Sequence, residues 1–208
     1  MIAIVNYRMG NLQSVLNAFE AVGAKAVVVD KPELLSDAKA VVLPGVGAFC
    51  EGMENLRKLN FIDSLKKEVL EKKKPFLGIC LGMQLIAQKS FEGRECEGLG
   101  WMDFTVEKIT PKDSSLRIPH MGWNDLEIKN NDSLLFKGIK APAVVYFIHS
   151  YHLVPNSGAE SYISSVACYG GAVTASVEKD NVFGVQFHPE KSQNTGLILL
   201  KNFINLIC

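Results

Sequence analysis

The first half of the chain alternates short apolar runs with segments whose apolar residues recur at helical spacing. The short runs are apolar at consecutive positions, which is typical of parallel strands buried on both faces. They cover residues 2–5, 26–29, 40–43 and 76–79. The segments of helical spacing predict helices over residues 12–22, 51–74 with a break near Asn60, and 81–87. This alternation predicts an α/β fold, a doubly wound and mostly parallel sheet flanked by helices.

The second half of the chain has a different pattern. From residue 102 to residue 177 the apolar segments are short, often alternating, and separated by Pro, Gly, Asn and Asp. This pattern predicts additional antiparallel strands joined by turns. A further strand over 182–187 and a closing helix over about 197–207 complete the expected fold. Because no linker, repeat or low-complexity tract interrupts the pattern, we expect a single domain over residues 1–208.

Composition and charge exclude several classes of function. Hydrophobic residues make up 48% of the 208 residues and charged residues 21%, which is typical of a globular protein. The 22 Lys and Arg residues balance 22 Asp and Glu residues, so we expect no nucleic-acid partner. No apolar run approaches the roughly 18 residues of a spanning helix, and the first residues do not resemble a signal peptide. We therefore expect a cytoplasmic protein with no membrane partner.

The cysteines are odd in number and widely spaced, at Cys50, Cys80, Cys96, Cys168 and Cys208. The sequence contains no Cys-x-x-Cys pair, so neither a disulfide framework nor a zinc site is indicated. We therefore expect mostly buried free thiols, no metal and no cofactor.

The segment 78–84 carries the most specific chemical signal. It reads Gly-Ile-Cys-Leu-Gly-Met-Gln, follows a predicted strand and begins a predicted helix. A cysteine with glycines two positions before and after it matches the nucleophile-elbow pattern, with Cys in place of Ser. The helix dipole favours a Cys80 thiolate, and the N–H of Leu81 points toward a developing oxyanion. The alternative is a buried cysteine whose neighbouring glycines serve packing.

A thiolate nucleophile needs a base, and the candidates are His120, His149, His152 and His188. His188 follows the predicted strand over 182–187, so it is expected at the carboxyl edge of the sheet, as Cys80 is. Glu190 is placed to accept a hydrogen bond from the imidazole and fix its tautomer. Taken alone, the pair could equally be a surface histidine beside a glutamate.

A third segment, Pro44-Gly45-Val46-Gly47, directly follows another predicted strand. Its glycines leave backbone N–H groups free to meet a ligand or an oxyanion. The alternative is an ordinary turn between a strand and a helix.

These three motifs (PGVG, GICLGMQ and FHPE), in this order and spacing, resemble those of class I (triad) glutamine amidotransferases. Four further segments are similar to segments of the glutaminase subunits of imidazole glycerol phosphate synthases. These segments are NYRMGNL at 6–12, PHMGWN at 119–124, YFIHSY at 146–151 and QFHPEKS at 186–192. The resemblance covers essentially the whole chain.

The resemblance implies a Cys-His-Glu glutaminase. In this reading Cys80 attacks the side-chain amide of L-glutamine, His188 relays a proton to ammonia, and Glu190 orients His188. The oxyanion hole would use the N–H of Leu81 and one from the strand 45–47. The resemblance also implies that this strand reorients when the synthase site is filled, which its glycines make sterically inexpensive.

Glutamine recognition is implied for Gly47, Gln84, Glu92, Ser150 and Tyr151. The carboxylate of Glu92 suits the substrate ammonium, and backbone groups near Ser150 and Tyr151 suit the substrate carboxylate. The alternatives are a solvated Glu92 in a polar loop and a Tyr151 that belongs to the core.

The glutaminases that this chain resembles work with a cyclase subunit, a (β/α)8 barrel. Because the 208 residues include no barrel, we expect a separate cyclase chain and a heterodimer. The resemblance places the docking face at Asn11, Met121, Trp123, Tyr146 and Lys191. Met, Trp and Tyr are common interface anchors. For Trp123 the alternative is a buried core position.

Two departures from the family pattern leave the acceptor of ammonia open. Arg8 stands where relatives usually have Gly, and Trp101 stands where an aliphatic residue is expected. The first alternative is therefore a paralogous subunit that supplies ammonia for amination of surface-sugar precursors. Another is a Cys-dependent α/β hydrolase. A catalytically idle partner subunit is the last, and the intact Cys80, His188 and Glu190 argue against it.

Overall fold

The structure is a computed structural model that describes residues 1–207. The strands are β1 (Ile2–Val5), β2 (Ala26–Val29), β3 (Ala40–Gly45), β4 (Phe76–Cys80), β5 (Lys89–Ser90), β6 (Cys96–Glu97), β7 (Phe104–Lys108), β8 (His120–Ile128), β9 (Val144–His149), β10 (Tyr151–Pro155), β11 (Ile163–Cys168), β12 (Ala172–Lys179) and β13 (Val182–Val185). The α-helices are α1 (Leu12–Ala21), α2 (Phe49–Lys58), α3 (Phe61–Leu65), α4 (Leu81–Gln84) and α5 (Gln193–Ile204). Shorter 3₁₀ turns lie at Pro32–Asp37, Glu160–Tyr162 and Pro189–Lys191.

A nine-stranded sheet forms the centre of the molecule, in the order β2-β1-β3-β4-β13-β12-β11-β8-β9. The strands from β2 to β13 pair in parallel. The strands from β13 to β9 pair antiparallel. This arrangement confirms the predicted α/β class, with a parallel first half and antiparallel additions from the second half.

A second, four-stranded sheet has the order β10-β7-β5-β6. Its β5 and β7 are parallel neighbours, and the other two pairs are antiparallel. The sequence did not predict a separate sheet, because β5 and β6 have only two residues each. The loop between β5 and β6 carries Glu92, and β10 begins at Tyr151, so this sheet positions two expected substrate residues.

The parallel strands β1, β3, β4 and β13 are buried on both faces, as the consecutive apolar runs predict. Alternate residues of β1 belong to different cores: Ala3 and Val5 pack on the side of α2 and α3, and Ile2 and Ile4 on the side of α1 and α5. Successive side chains of a strand point to opposite faces, so a strand covered on both sides must be apolar at every position.

The helices differ from prediction mainly at their ends. The break expected near Asn60 is confirmed, because Asn60 adopts a left-handed φ of 57° between α2 and α3, and α3 continues into a π-helical turn at Lys66–Glu71. The predicted helix over 81–87 is too long, since α4 ends at Gln84. The carbonyls of residues 85–87 instead accept hydrogen bonds from the backbone of 99–102. The predicted strand over 182–187 likewise ends at Val185.

The expectation of mostly buried free thiols is wrong for the part of the chain that the structure describes. Cys50 and Cys96 form a disulfide across 46 positions of sequence, with their Cα atoms 5.7 Å apart. Cys168 is exposed, and only Cys80 is both free and buried. Cys208 lies outside the described residues. The pairing depends on the packing of α2 against β6, which no local sequence pattern encodes.

Within residues 1–207, no helix combines the length and apolar character that crossing a bilayer requires.

Candidate active site

The candidate residues meet at the carboxyl edge of three neighbouring parallel strands. β4 ends at Cys80, and the register of β3 on β4 places Gly45 directly beside it. β13 lies on the other side of β4 and leads into His188. Because the carboxyl ends of parallel strands share one edge, residues that lie far apart in sequence converge there.

The backbone at Cys80 is strained. Its φ is 53° and its ψ is −109°, a combination that non-glycine residues rarely adopt. The flanking glycines permit this turn: a Cβ at Gly78 would lie 2.6 Å from the carbonyl oxygen of Gly82, and a Cβ at Gly82 would overlap the carbonyl of Leu43. The elbow therefore requires both glycines for close backbone approach, as the sequence pattern predicts.

His188 and Glu190 form a buried pair. The Nδ1 atom of His188 lies 2.7 Å from Oε1 of Glu190, and the two side chains are 5% and 4% exposed. Because Glu190 occupies Nδ1, the ring presents Nε2 on its other side. Nε2 is buried, and no hydrogen bond reaches it from residues 1–207. This is the orientation that a general acid and base beside Cys80 needs.

The protonation of His188 differs from that of the other three histidines. Burial lowers its pKa, but the interactions of the ring with nearby Cys80 and Glu190 outweigh burial and raise the pKa to about 10. Burial instead lowers the pKa of His120 to about 4, that of His149 to about 3 and that of His152 to about 4. At neutral pH, His188 is therefore the histidine that carries a positive charge.

A cavity of about 350 Å³ opens beside Cys80. Its lining includes eight residues expected at the site from sequence, which are Val46, Gly47, Cys80, Leu81, Gln84, Glu92, Ser150 and Tyr151. Ile148 and His149 complete the lining. Cavities of this size hold small-molecule ligands. Gly45, His188 and Glu190 border a smaller cavity of about 30 Å³, which Asn11 and Lys191 also line.

Gln84 lies at the floor of the larger cavity, and its Nε2 is fully engaged. It donates to the carbonyl of Tyr151 and to Oε1 of Gln186, each at 2.9 Å. The side chain of Gln84 is therefore fixed, which leaves its Oε1 as the group available to a ligand. Tyr151 is half-buried: it packs against the core and also lines the cavity.

Glu92 borders the cavity while also capping a helix. Its Oε2 accepts a hydrogen bond of 2.7 Å from the backbone N–H of Phe49, the first residue of α2. Ala48, the N-cap residue, supplies no side-chain cap, so the distant carboxylate takes that role. Glu92 is thus held in place rather than merely solvated in a loop.

The backbone N–H of Val46, expected as an oxyanion donor, is engaged in another hydrogen bond. The N–H of Val46 donates to the carbonyl of Met9 at 3.3 Å. An N–H engaged in this way cannot at the same time donate to an oxyanion on Cys80. Gly47, the next residue, adopts a φ of 110°, which favours glycine. Gly45 lies against the hydroxyl of Tyr7, since a Cβ at Gly45 would overlap that oxygen.

Four of the five residues expected at the partner face lie on or beside the exposed strands β8 and β9. They are Met121, Trp123, Tyr146 and Lys191. Met121 is 61% exposed and Trp123 50%, so the alternative of a buried core Trp123 is wrong. Trp123 lies opposite Tyr146 in the β8–β9 register, with ring centroids 5.8 Å apart. The Nζ of Lys191 lies 5.7 Å from the centre of the Tyr146 ring. These four residues form one continuous surface.

Asn11, the fifth residue, is exposed and caps α1 by accepting a hydrogen bond from the N–H of Ser14 at 3.3 Å. Its link to the other four is the small cavity that it borders together with Lys191.

Sequence reasoning assigned no individual role to three residues of this region, which are Met9, Ile148 and Gln186, and considered His149 only as a candidate base. Ile148 is 38% exposed and continues the surface around Met121, its partner in the β8–β9 register. Its carbonyl lies 4.0 Å from the sulfur of Cys80. Their positions within the quoted motifs were the only available signal, because each acts through a tertiary contact.

Among the described residues, no group of three or more His, Cys, Asp and Glu side chains is arranged to hold a metal ion.

The fold and the site together define an α/β protein with a strained cysteine, Cys80, at the carboxyl edge of its sheet and a buried His188–Glu190 pair beside it. The family profile of glutamine amidotransferase class-I matches residues 3–206. The chain therefore belongs to the class I glutamine amidotransferase family, which confirms the resemblance inferred from its motifs.

Curated relatives match along essentially the whole chain. Imidazole glycerol phosphate synthase subunit HisH 1 of Campylobacter jejuni (strain 81-176) is 48% identical over 206 residues, covering 99% of this chain and 100% of that protein. Subunit HisH 2 of Pseudomonas aeruginosa is 44% identical, covering 100% of both chains. Subunit HisH of Aquifex aeolicus is 46% identical, covering 96% of this chain and 94% of its own.

Solved structures share the fold at low identity. A structure titled as a glutamine amidotransferase superposes with a TM-score of 0.73 at 22% identity, covering 100% of this chain and 99% of the other. A chain of PurLQS from Thermotoga maritima gives a TM-score of 0.74 at 20% identity, covering 100% and 98%.

Proposed function

We propose that the chain hydrolyses L-glutamine to glutamate and ammonia and supplies the ammonia to a separate (β/α)8 cyclase subunit in histidine biosynthesis. The observation that carries the proposal is the 48% identity over 99% of the chain to a protein named as an imidazole glycerol phosphate synthase subunit. The buried His188–Glu190 pair beside Cys80 is consistent with the chemistry that this proposal requires.

The reaction begins at the sulfur of Cys80. The thiolate attacks the side-chain amide carbon of glutamine, and the negative charge moves to the amide oxygen. Protonated His188 then gives its proton to the leaving nitrogen, which departs as ammonia and leaves a γ-glutamyl thioester. In the second half His188 takes a proton from water, and the resulting hydroxide attacks the thioester and releases glutamate. Glu190 holds the imidazole in the required orientation in both halves.

The oxyanion needs two backbone donors. The N–H of Leu81, at the start of α4, is one of them. The second is the N–H of Val46, which is free to serve only after it leaves the carbonyl of Met9. One missing donor costs roughly 3 kcal/mol of transition-state stabilisation. The resting chain is therefore expected to be a poor glutaminase until a partner reorients this strand.

The cavity accounts for the choice of substrate. Glu92 lies at one side and presents a carboxylate for the ammonium of glutamine. Backbone groups of Ser150 and Tyr151 serve the substrate carboxylate, and Oε1 of Gln84 accepts from the amide nitrogen. The ammonium, carboxylate and side-chain amide of glutamine would thus each meet a complementary polar group in the cavity lining.

The exposed surface of Met121, Trp123, Tyr146, Ile148 and Lys191 is the proposed docking face for the cyclase. The carbonyl of Ile148 contacts the nucleophile, while its side chain is exposed on that face. Ammonia released at Cys80 therefore has a short path to the partner. The cyclase then uses ammonia to form imidazole glycerol phosphate and the aminoimidazole carboxamide ribonucleotide.

The test uses the complex with the cyclase subunit of the same organism, because the product can be formed from glutamine or from added ammonium salt. We expect Cys80→Ser to abolish glutamine-dependent product while ammonium-dependent product persists. Cys168→Ser, which changes the exposed free cysteine, is the matched control and should behave as the unsubstituted chain. Glutamine-dependent synthesis by Cys80→Ser would overturn the assignment of the nucleophile.

One observation favours a second candidate for the acceptor of the ammonia. The relatives from Campylobacter jejuni and Pseudomonas aeruginosa carry the numbers 1 and 2 in their names, which is consistent with more than one version of the subunit. A copy that supplies ammonia for surface-sugar amination would keep the glutaminase site and change the partner. Stimulation by a sugar-amination partner and not by the cyclase would select this alternative.

A further inference from the structure

Gln186 is a fully buried polar residue at the active site that the proposed reaction has not used. It follows β13 and lies two positions before His188, and its side chain is 0% exposed. Its Nε2 is 3.6 Å from the sulfur of Cys80, within hydrogen-bonding range for sulfur. A buried amide directed at the nucleophile calls for an explanation, because burying a side-chain amide is costly unless it is hydrogen-bonded.

The orientation of the Gln186 amide is fixed by its neighbours. The carbonyl of Tyr151 can only accept, so the Nε2 of Gln84 must be the atom that faces it, at 2.9 Å. The other hydrogen of that Nε2 is directed at Gln186, which must therefore present Oε1, also at 2.9 Å. Consequently Gln186 turns its NH₂ group, and not its oxygen, toward the sulfur of Cys80.

The Tyr151 carbonyl that begins this chain of hydrogen bonds is itself held in place. The ring Nδ1 of His149 lies 2.8 Å from it. Burial keeps the pKa of His149 near 3, so the ring is neutral, and its Nδ1 must carry the hydrogen that it donates to the carbonyl.

We propose that Gln186 is a further catalytic residue, whose side-chain N–H stabilises the Cys80 thiolate and aims the sulfur at the substrate, while Gln84 acts as its positioning residue. A hydrogen bond donated to the charged form of a group favours that form. Protonated His188, whose charge interacts with Cys80, also favours the thiolate, whereas the carbonyl of Ile148, 4.0 Å from the sulfur, can interact favourably only with the protonated thiol. The side chain of Gln186 therefore favours the thiolate of Cys80, and the carbonyl of Ile148 favours its protonated thiol. This inference rests on the proposed role of Cys80 as the nucleophile.

The test measures the rate at which iodoacetamide alkylates Cys80 as a function of pH, read by peptide mass spectrometry in the full chain with Cys168→Ser. We expect Gln186→Met, which has similar size but no donor, to raise the midpoint of the pH profile by about one unit and to slow alkylation about tenfold at pH values below that midpoint. Gln186→Glu should slow it further, because its charge opposes the thiolate. Gln84→Met should have an intermediate effect, because it releases the amide without removing it.

Gln88→Met is the matched control, since Gln88 is an exposed glutamine that lies just beyond α4 and takes no part in the network. It should leave both the rate and the midpoint unchanged. A folded Gln186→Met with the rate and midpoint of the unsubstituted chain would overturn the proposal.

A second measurement needs no substitution at Gln186 and covers the case in which Gln186→Met fails to fold. The side-chain amide signals of Gln186 in a ¹⁵N NMR spectrum should shift as Cys80 ionises, and this shift should vanish in Cys80→Ala. Amide signals that do not respond to Cys80 would contradict the proposal. Neither alkylation nor NMR requires glutamine or a partner. A chain that shows the Gln186 effect but never releases glutamate would therefore refute the proposed function and leave this contact standing.

Discussion

Val46 donates its backbone N–H to the carbonyl of Met9 at 3.3 Å, and so the expected oxyanion donor is engaged elsewhere in the free chain. The two residues belong to the loops after β3 and β1, which are adjacent parallel strands. This hydrogen bond is at the long end of the usual range, so breaking it costs little. The glycines on both sides of Val46 give the peptide the freedom to turn.

The contact between Gly45 and Tyr7 predicts a specific steric coupling. In Gly45→Ala the new Cβ would overlap the Tyr7 hydroxyl, and overpacking of this kind costs about 1–3 kcal/mol of unfolding free energy. Adding Tyr7→Phe removes the oxygen and should recover part of that loss. Urea unfolding of the two single variants and the double variant measures the coupling. Strictly additive effects would show that the two groups do not touch.

The hydroxyl of Tyr7 is itself buried and without a hydrogen-bond partner among residues 1–207. An unsatisfied buried polar group destabilises the folded state, so Tyr7→Phe alone should leave the unfolding free energy unchanged or raise it by up to about 1 kcal/mol. Tyr169→Phe is the comparison, because the Tyr169 hydroxyl donates to the carbonyl of Arg117 at 2.6 Å. That variant should lose stability. A clear loss in Tyr7→Phe would mean that its hydroxyl is paired.

The four histidines should titrate in two separate ranges. The pKa of His188 is raised to about 10, whereas the values for His120, His149 and His152 are lowered to about 4, 3 and 4. NMR of the ring Cε1–H groups at pH 7.5 should therefore show one protonated and three neutral imidazoles. A neutral His188 at that pH, in the free chain, would contradict the raised pKa of His188 and its proposed role as the proton donor.

These shifts also set the direction of the pH dependence of stability. The raised pKa of His188 contributes stability that is complete below the unfolded value near pH 6.5 and is lost as pH rises through about 10. The lowered values of the other three contribute stability that is present above about pH 6.5 and is lost as pH falls toward 4 and 3. Unfolding curves from pH 4 to pH 10 should thus show a maximum near neutrality that moves to lower pH in the absence of the buried neutral rings.

The Cys50–Cys96 disulfide predicts a stability that depends on reducing agent. It joins the first turn of α2 to β6. The hydrogen bond from the N–H of Phe49 to Glu92 also joins α2 to the loop that precedes β6. Reduction should lower the unfolding free energy by about 2–4 kcal/mol, and non-reducing peptide mapping should recover the two cysteines in one cross-linked fragment. Cys168→Ser should change neither result. Two separate peptides under oxidising conditions would refute the pairing.

The docking face predicts a strong effect of a single aromatic side chain. Trp123 is 50% exposed and packs against Tyr146, and central aromatic anchors typically cost 2 kcal/mol or more on truncation. Trp123→Ala should therefore weaken binding to the cyclase about thirtyfold or more, measured by calorimetry, without loss of stability. Val28→Ala is the control, because Val28 lies on β2, at the opposite edge of the nine-stranded sheet. Equal affinities for the two variants would place the interface elsewhere.

The sheet and its carboxyl edge could be predicted because their signals are local. Consecutive apolar residues identify β1 to β4, and glycines around Cys80 identify the elbow. The rule that parallel strands align their carboxyl ends then brings His188 to Cys80. Each of these inferences uses only neighbouring residues and one topological rule.

The remaining features depend on contacts between distant segments and could not be predicted. Glu92 reaches the N–H of Phe49 across 43 positions, and Cys50 meets Cys96 across 46. The end of α4 at Gln84 is set by hydrogen bonds from residues 99–102, not by its own sequence. Similarly, the bond from Val46 to Met9 and the amide of Gln186 have no periodic or compositional signal. These contacts between distant segments determine the detailed geometry of the site, whereas the strand order determines its location.

The most direct test of the central claim is the release of glutamate from glutamine. The rate is measured for the chain alone, with the cyclase subunit of its own organism, and with that subunit and its ribonucleotide ligand. The account predicts little release by the chain alone, because Val46 is engaged with Met9, and strong stimulation only in the complete mixture. Full activity of the free chain would contradict the resting oxyanion strand, and no glutamate in any mixture would contradict the glutaminase itself.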